Sequence, residues 1–141
     1  MSELPGQPPT QGFDEEYIRR GAEDVTEADL DELHAQADEL RRRFDQPGPI
    51  GHIRSSGHLL VALVGDYREG DYREVPWWAM AAIGFCLLYV LNPVDAMPDM
   101  VPILGQVDDA IVISVCLLLI DQELQKYKHW KLDRLDGDGE S

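Results

Sequence analysis

The chain is short of positive charge: 12 Lys and Arg stand against 27 Asp and Glu, a formal net charge of -15 over 141 residues. Gripping a phosphate backbone relies on clustered Lys and Arg, so the composition argues against nucleic acid as a partner. The same acidity disfavours simple electrostatic docking on anionic lipid. Cysteine is scarce as well. Cys86 and Cys116 both lie inside apolar runs with no CxxC or Cys/His spacing, which indicates buried small hydrophobes rather than a zinc site or a disulfide framework. No nucleophile elbow, P-loop, dinucleotide glycine motif or HExxH segment is present, so no reaction is indicated and the protein reads as a non-enzyme. His52 and His58 lie six apart, which does not place them on one helical face as a metal pair. The N-terminal residues have neither a basic n-region nor an apolar h-region, so they do not read as a secretory signal peptide.

What the chain does have is apolar sequence gathered in its C-terminal half. The twenty residues from Val75 to Val94 carry no charge, enough for a helix of about 30 Å, the thickness of a bilayer's hydrocarbon core. A second run, Ala110 to Ile120, is eleven residues long. Extending it backwards to span length puts Asp108 and Asp109 near its middle at a cost of about 5 to 7 kcal/mol, against a return of about 0.3 to 0.6 for each apolar residue. The second helix therefore needs the first as a partner, a steep re-entry, or its acidic end at the water boundary.

Ahead of these runs, residues 1–25 read as a disordered or weakly ordered tail, Pro, Gln and Gly-rich at first, with a short helical turn over Phe13 to Gly21. Residues 26–65 form an amphipathic helical region. Thr26 and Asp29 make a capping box, and Leu30, Leu33, Ala37, Leu40 and Phe44 follow at spacings of three and four. That helix ends at Pro47-Gly48-Pro49, with Arg41, Arg42 and Arg43 in its last turns, matched to the helix dipole or anchoring lipid headgroups, the first being the simpler use. A second helix covers His52 to Gly65, weakened by Gly57. Asp66 to Glu74, DYREGDYRE, reads as a polar connection into Pro76, a residue suited to the first turn of the next helix. Trp77 and Trp78 follow, either at headgroup level or packed in a core. Residues 66–131 make up the hydrophobic hairpin, and 132–141 a flexible C-terminal tail.

The run from Gly65 to Trp130 resembles the YkvA-like family, a widespread domain of unknown function. The likeness rests on an apolar helix ending in Tyr89, then Pro93, Asp95, Pro98, Asp99, Pro102, Gly105 and the pair Asp108-Asp109. Ala96 and Met100 stand where the family usually has a larger aliphatic residue and an aromatic. The resemblance implies a helical, membrane-associated protein, typically treated as multi-pass, and it brings no catalytic activity with it.

Three prolines and Gly105 force the chain to turn between the two apolar runs. Two uses of the aspartates in that turn stand side by side. Asp108 and Asp109 fall at a helix start and Asp95 and Asp99 within short turns, where carboxylates cap orphan N–H groups. Alternatively, Asp95, Asp99, Asp108 and Asp109 gather into an oxygen-rich site for a divalent cation such as Mg²⁺, Ca²⁺ or Mn²⁺, since no Lys or Arg lies between Val75 and Gln125 to offset them. Capping is the commoner use. The sequence calls for no other cofactor.

The expected fold is all-α: a hydrophobic helical hairpin with a Pro/Asp-rich turn, preceded by two peripheral amphipathic helices. The expected setting is the membrane, with the lipid bilayer as partner and the chain multi-pass if both apolar helices insert. Basic residues flank the hairpin and are missing from its turn, which would put both termini in the cytoplasm. Self-association, or pairing with another membrane protein, would run through the small residues Ala79, Ala82 and Gly84. The principal rival is a soluble helical interaction module in which Val75 to Val94 is a core helix wrapped by the N-terminal ones. A second rival is an ion or proton pathway built on the aspartates.

Overall fold

The computed structural model describes residues 15–48, 51, 53–91 and 109–140, and among these there are seven helices and no strand. They are α1 (Glu15–Ala22), α2 (Glu27–Ala35), α3 (Ala37–Phe44), α4 (Arg54–Glu69), α5 (Trp77–Leu91), α6 (Asp109–Leu119) and α7 (Asp121–Glu140). The all-α expectation holds, but the arrangement differs from a hairpin with helices at its side.

Helix α5 is the axle. It has no charged residue and twelve of its fifteen residues are buried. A helix apolar all round must be covered all round, and α1, α2, α3, α4 and α6 all pack against it. The N-terminal helices are therefore not peripheral. Their apolar stripes, including Ile18, Leu30, Leu33, Leu40 and Phe44, are buried in the same core as Met80, Ile83 and Leu87. At Gly84 α5 lies close against its wrapping: a side chain there would press on Leu30 and Val25 at 3.1 Å. Ala79 and Ala82 are buried too, so the small residues expected to serve association between chains are taken up by packing within one.

Local details follow the sequence in places and correct it in others. The Thr26 capping box is present: Thr26 Oγ1 accepts from the Asp29 N–H at 3.3 Å, and Asp29 Oδ2 accepts from the Thr26 N–H at 2.9 Å. The helix it starts bends at Gln36 without a gap in hydrogen bonding, since the Gln36 N–H reaches Glu32 O and the Leu40 N–H reaches Gln36 O, both at 3.0 Å. Part of the stretch expected to be a weakly ordered tail is helix, since α1 lays Tyr17, Ile18 and Ala22 into the core. Helix α4 runs to Glu69 rather than Gly65. Its end is set by Gly70, whose φ of 86° is a left-handed cap open to glycine, and the Asp71 N–H returns to Asp66 O at 2.9 Å. Pro76 stands just ahead of α5 and its carbonyl accepts from Ala79 and Met80. Helix α6 runs into α7 through Ile120, whose N–H meets Cys116 O at 2.9 Å and whose carbonyl accepts from Leu124. The tail expected from 132 continues α7 to Glu140.

The spanning expectation is not met: among the described residues no helix is long and apolar enough to cross a membrane. The fifteen residues of α5 measure about 22 Å and the eleven of α6 about 16 Å, at 1.5 Å per residue, against a hydrocarbon core of about 30 Å.

Gly57, which weakened the sequence reading of α4, is buried in the first turn of that helix, where the Phe44 ring lies directly on it. Gly57→Ala should lower stability by about 1–2 kcal/mol, since overpacking against a fully buried ring outweighs the gain of about 1 kcal/mol in helix propensity. Gly65→Ala meets only the half-exposed His34 ring at 3.2 Å and should be neutral or slightly stabilising. Urea midpoints of the two variants compare them directly.

Candidate functional site

The four linker aspartates are only partly visible. Asp95, Asp99 and Asp108 lie outside the described residues, as do Pro93, Pro98, Pro102 and Gly105, while Asp109 is the first residue of α6 and so stands at a helix start. Tyr89, the remaining motif residue, is buried near the end of α5.

A different set of carboxylates does converge. Oxygens of Asp66, Glu69 and Asp71, around the C-terminal end of α4, lie within 4.8 Å of one another. Two of the three already have work to do. Asp66 Oδ2 accepts from the Tyr127 hydroxyl at 2.5 Å and from Lys131 Nζ at 3.2 Å, tying α7 to α4. Glu69 pairs with His34 of α2 at 3.2 Å. The Tyr127 ring is fully buried and packs with Tyr72 and Trp130. Burial, and then the hydrogen bond to Asp66, push the Tyr127 phenol far above its usual range, and burial with Glu74 and Glu123 nearby raises Tyr72. This cluster reads as a clasp between helices.

The arginines at the end of α3 serve the fold as well. Arg41 pairs with Asp38, and Arg42 and Arg43 with Glu39. Arg43 also donates from Nη1 to Val90 O at 2.9 Å, giving a carbonyl in the last turn of α5 a partner and a positive charge at its dipole end. His58 and Arg54 both hold Asp45, whose carboxyl sits below its usual range chiefly through the Arg54 hydrogen bond.

Another feature of the described residues is an apolar surface. Helix α6 carries no charge from Ala110 to Ile120, yet only one side of it, Val112, Ile113, Cys116 and Ile120, is buried. Its opposite side turns Ser114 and Leu118 outward, flanked by half-buried Ile111, Val115, Leu117 and Leu119. Leu118 is 75% exposed, and beside it stand Trp78 at 46% and Trp77 at 41%. Two hollows join them into one surface. One, of about 270 Å³, is lined by Trp77, Trp78, Ala81, Ala82 and Leu119, with Arg19 and Glu23 at its edge. The other runs from Trp78 past Leu118 to Asp121 and Glu123. Of the two uses foreseen for the tryptophans, core packing is not the one observed. Sequence alone could not separate the two sides of α6, because both are apolar.

Residues 79–115 match the family described as "Protein of unknown function (DUF1232)". The protein called "Uncharacterized membrane protein YkvA" from Bacillus subtilis (strain 168) is 34% identical over 93 residues, covering 66% of this chain and 84% of that protein. The chain belongs to the YkvA-like family. No solved structure matches it. In this YkvA-like chain the family segment takes in α5 from Ala79 and α6 as far as Val115, while Trp77, Trp78 and Leu118 lie just beyond its two ends.

Proposed function

We propose that the protein is a non-catalytic accessory protein that works at a membrane surface, docking on lipid through Trp77, Trp78 and the outer side of α6. The observation that carries this reading is the cluster of exposed apolar side chains, with Leu118 75% exposed beside two half-exposed tryptophans. Indole rings favour the headgroup level and aliphatic side chains the acyl boundary beneath it. The naming of its Bacillus subtilis relative as a membrane protein supports the same setting.

Shallow docking is favoured over a spanning hairpin. To reach lipid, α5 would have to shed α1 to α4, which cover it now, and the apolar surface gained from lipid would only replace what protein already supplies. With a net charge of -15, the contact is hydrophobic rather than electrostatic.

Flotation with phosphatidylcholine vesicles tests this. The protein should float with uncharged lipid at least as well as with anionic lipid, stay bound in high salt, and shift its tryptophan emission to the blue. Leu118→Asp, or Trp77→Ala with Trp78→Ala, should weaken binding about tenfold or more, corresponding to about 1.4 kcal/mol, with helical content unchanged. Failure to float with either lipid would transfer the same face to a protein partner, the interaction-module reading. Retention of wild-type protein in the membrane after carbonate extraction would favour the inserted hairpin.

A further inference from the structure

Cys86 and Cys116 are both fully buried, one on α5 and one on α6. The Cys116 thiol donates across the seam to Ala82 O at 3.9 Å. Ala82 is one turn before Cys86, and helical side chains lean back over the turn that precedes them. The Cys86 thiol therefore leans over the turn that Cys116 reaches from the other helix. Both cysteines belong to the buried hydrophobic core, with Ala79, Ile83, Val112 and Ile113 one or two turns before them on their own helices.

We propose that Cys86 and Cys116 are a disulfide-forming pair, a modification site at which oxidation staples α6 to α5. The oxidant is a small-molecule disulfide. One cysteine thiolate attacks a sulfur of glutathione disulfide, forming a protein–glutathione bond and expelling one glutathione thiolate. The second cysteine then attacks the protein sulfur of that mixed disulfide, closing the Cys86–Cys116 bond and expelling the second glutathione. The two protons lost by the cysteines end on the two glutathiones, and the protein is oxidised by two electrons.

The closed bundle restrains this exchange. Burial, and then Cys116, push the Cys86 thiol well above its usual range, so the reactive thiolate forms when α6 lifts from α5. Among the described residues the outer side of α6 is exposed or half-buried, whereas α5 is buried along most of its length. Oxidation thus records and then forbids the separation of the two helices. The proposal is independent of the membrane reading.

The full-length protein is incubated with glutathione disulfide in urea at the foot of its unfolding transition, so that the seam opens, and then returned to buffer. A product lighter by two hydrogens, a Cys86–Cys116 linked peptide, and a melting temperature raised by about 10 °C and reset by a reductant are expected, the rise following from a loop of about thirty residues closed in the unfolded chain. Cys86→Ala and Cys116→Ala should each show no such rise. Glutathione carried singly on both cysteines, disulfide-linked dimers, no intramolecular bond despite the urea, or a bond that lowers the melting temperature would each overturn the proposal.

Discussion

Leu30→Asp is expected to unfold the protein at room temperature or bring it close to unfolding. Leu30 is fully buried, and its side chain rests on the bare backbone of Gly84 in α5. Removing a buried leucine costs about 2.7–5 kcal/mol, and a carboxylate left unpaired in its place adds a further desolvation cost. The sum approaches the whole stability of a small domain, about 5–15 kcal/mol. The same substitution on a peripheral amphipathic helix beside a lipid-buried hairpin would be tolerated. Circular dichroism with a urea titration therefore discriminates the two architectures: a cooperative transition close to that of wild type would mean that α2 does not cover α5. Ala35→Gln, five residues later on the exposed side of the same helix, serves as the control and should change stability by less than about 0.5 kcal/mol.

The second large effect is expected where α7 is clasped to α4. Asp66→Ala strips the buried Tyr127 hydroxyl of its acceptor and Lys131 of its counter-charge, and should cost about 2–4 kcal/mol. Tyr127→Phe should cost less, about 1–2 kcal/mol, because Asp66 keeps Lys131 at 3.2 Å. The double variant should fall short of the sum of the two, since both remove one shared bond. The clasp also has a pH signature. The folded Tyr127 phenol titrates above its unfolded value, so its contribution to stability is full below the unfolded pKa near 10 and is lost as pH rises from there toward the folded value. Of the five tyrosines, Tyr17, Tyr72 and Tyr127 are all raised. Phenolate absorbance should then lag in the folded protein and appear together with alkaline unfolding. Five tyrosines ionising near pH 10 while the far-ultraviolet spectrum stays native would refute the clasp.

Several elements were legible because their cause is local. The Thr26–Asp29 box needs only two side chains three residues apart, and it forms as read. The stripe from Leu30 to Phe44 repeats at helical spacing, and every leucine in it is buried along with Phe44. Where the reading failed, the deciding partner was distant in sequence. Gly57 looked like a weakness in a helix until the Phe44 ring came to lie on it. DYREGDYRE looked like one polar connection because its two halves are alike, yet the first half is the last turn of α4 and supplies the acceptor for a tyrosine sixty-one residues later. Arg43 lies in a basic run whose local partners explain it, and nothing nearby points to Val90.

From its residues alone, this chain was bound to be helical, acidic and of the YkvA-like kind, with an uncharged helix that had to hide from water. Helix type, caps and family motif are written within a few residues of one another. Only the tertiary structure decided what hides that helix and which apolar side chains stay outside. Hydrophobicity is non-directional: Val75 to Val94 would be equally satisfied by acyl chains or by Ile18, Leu30, Leu33 and Phe44. Packing assigned its described part, up to Leu91, to the latter and left Trp77, Trp78 and Leu118 facing outward.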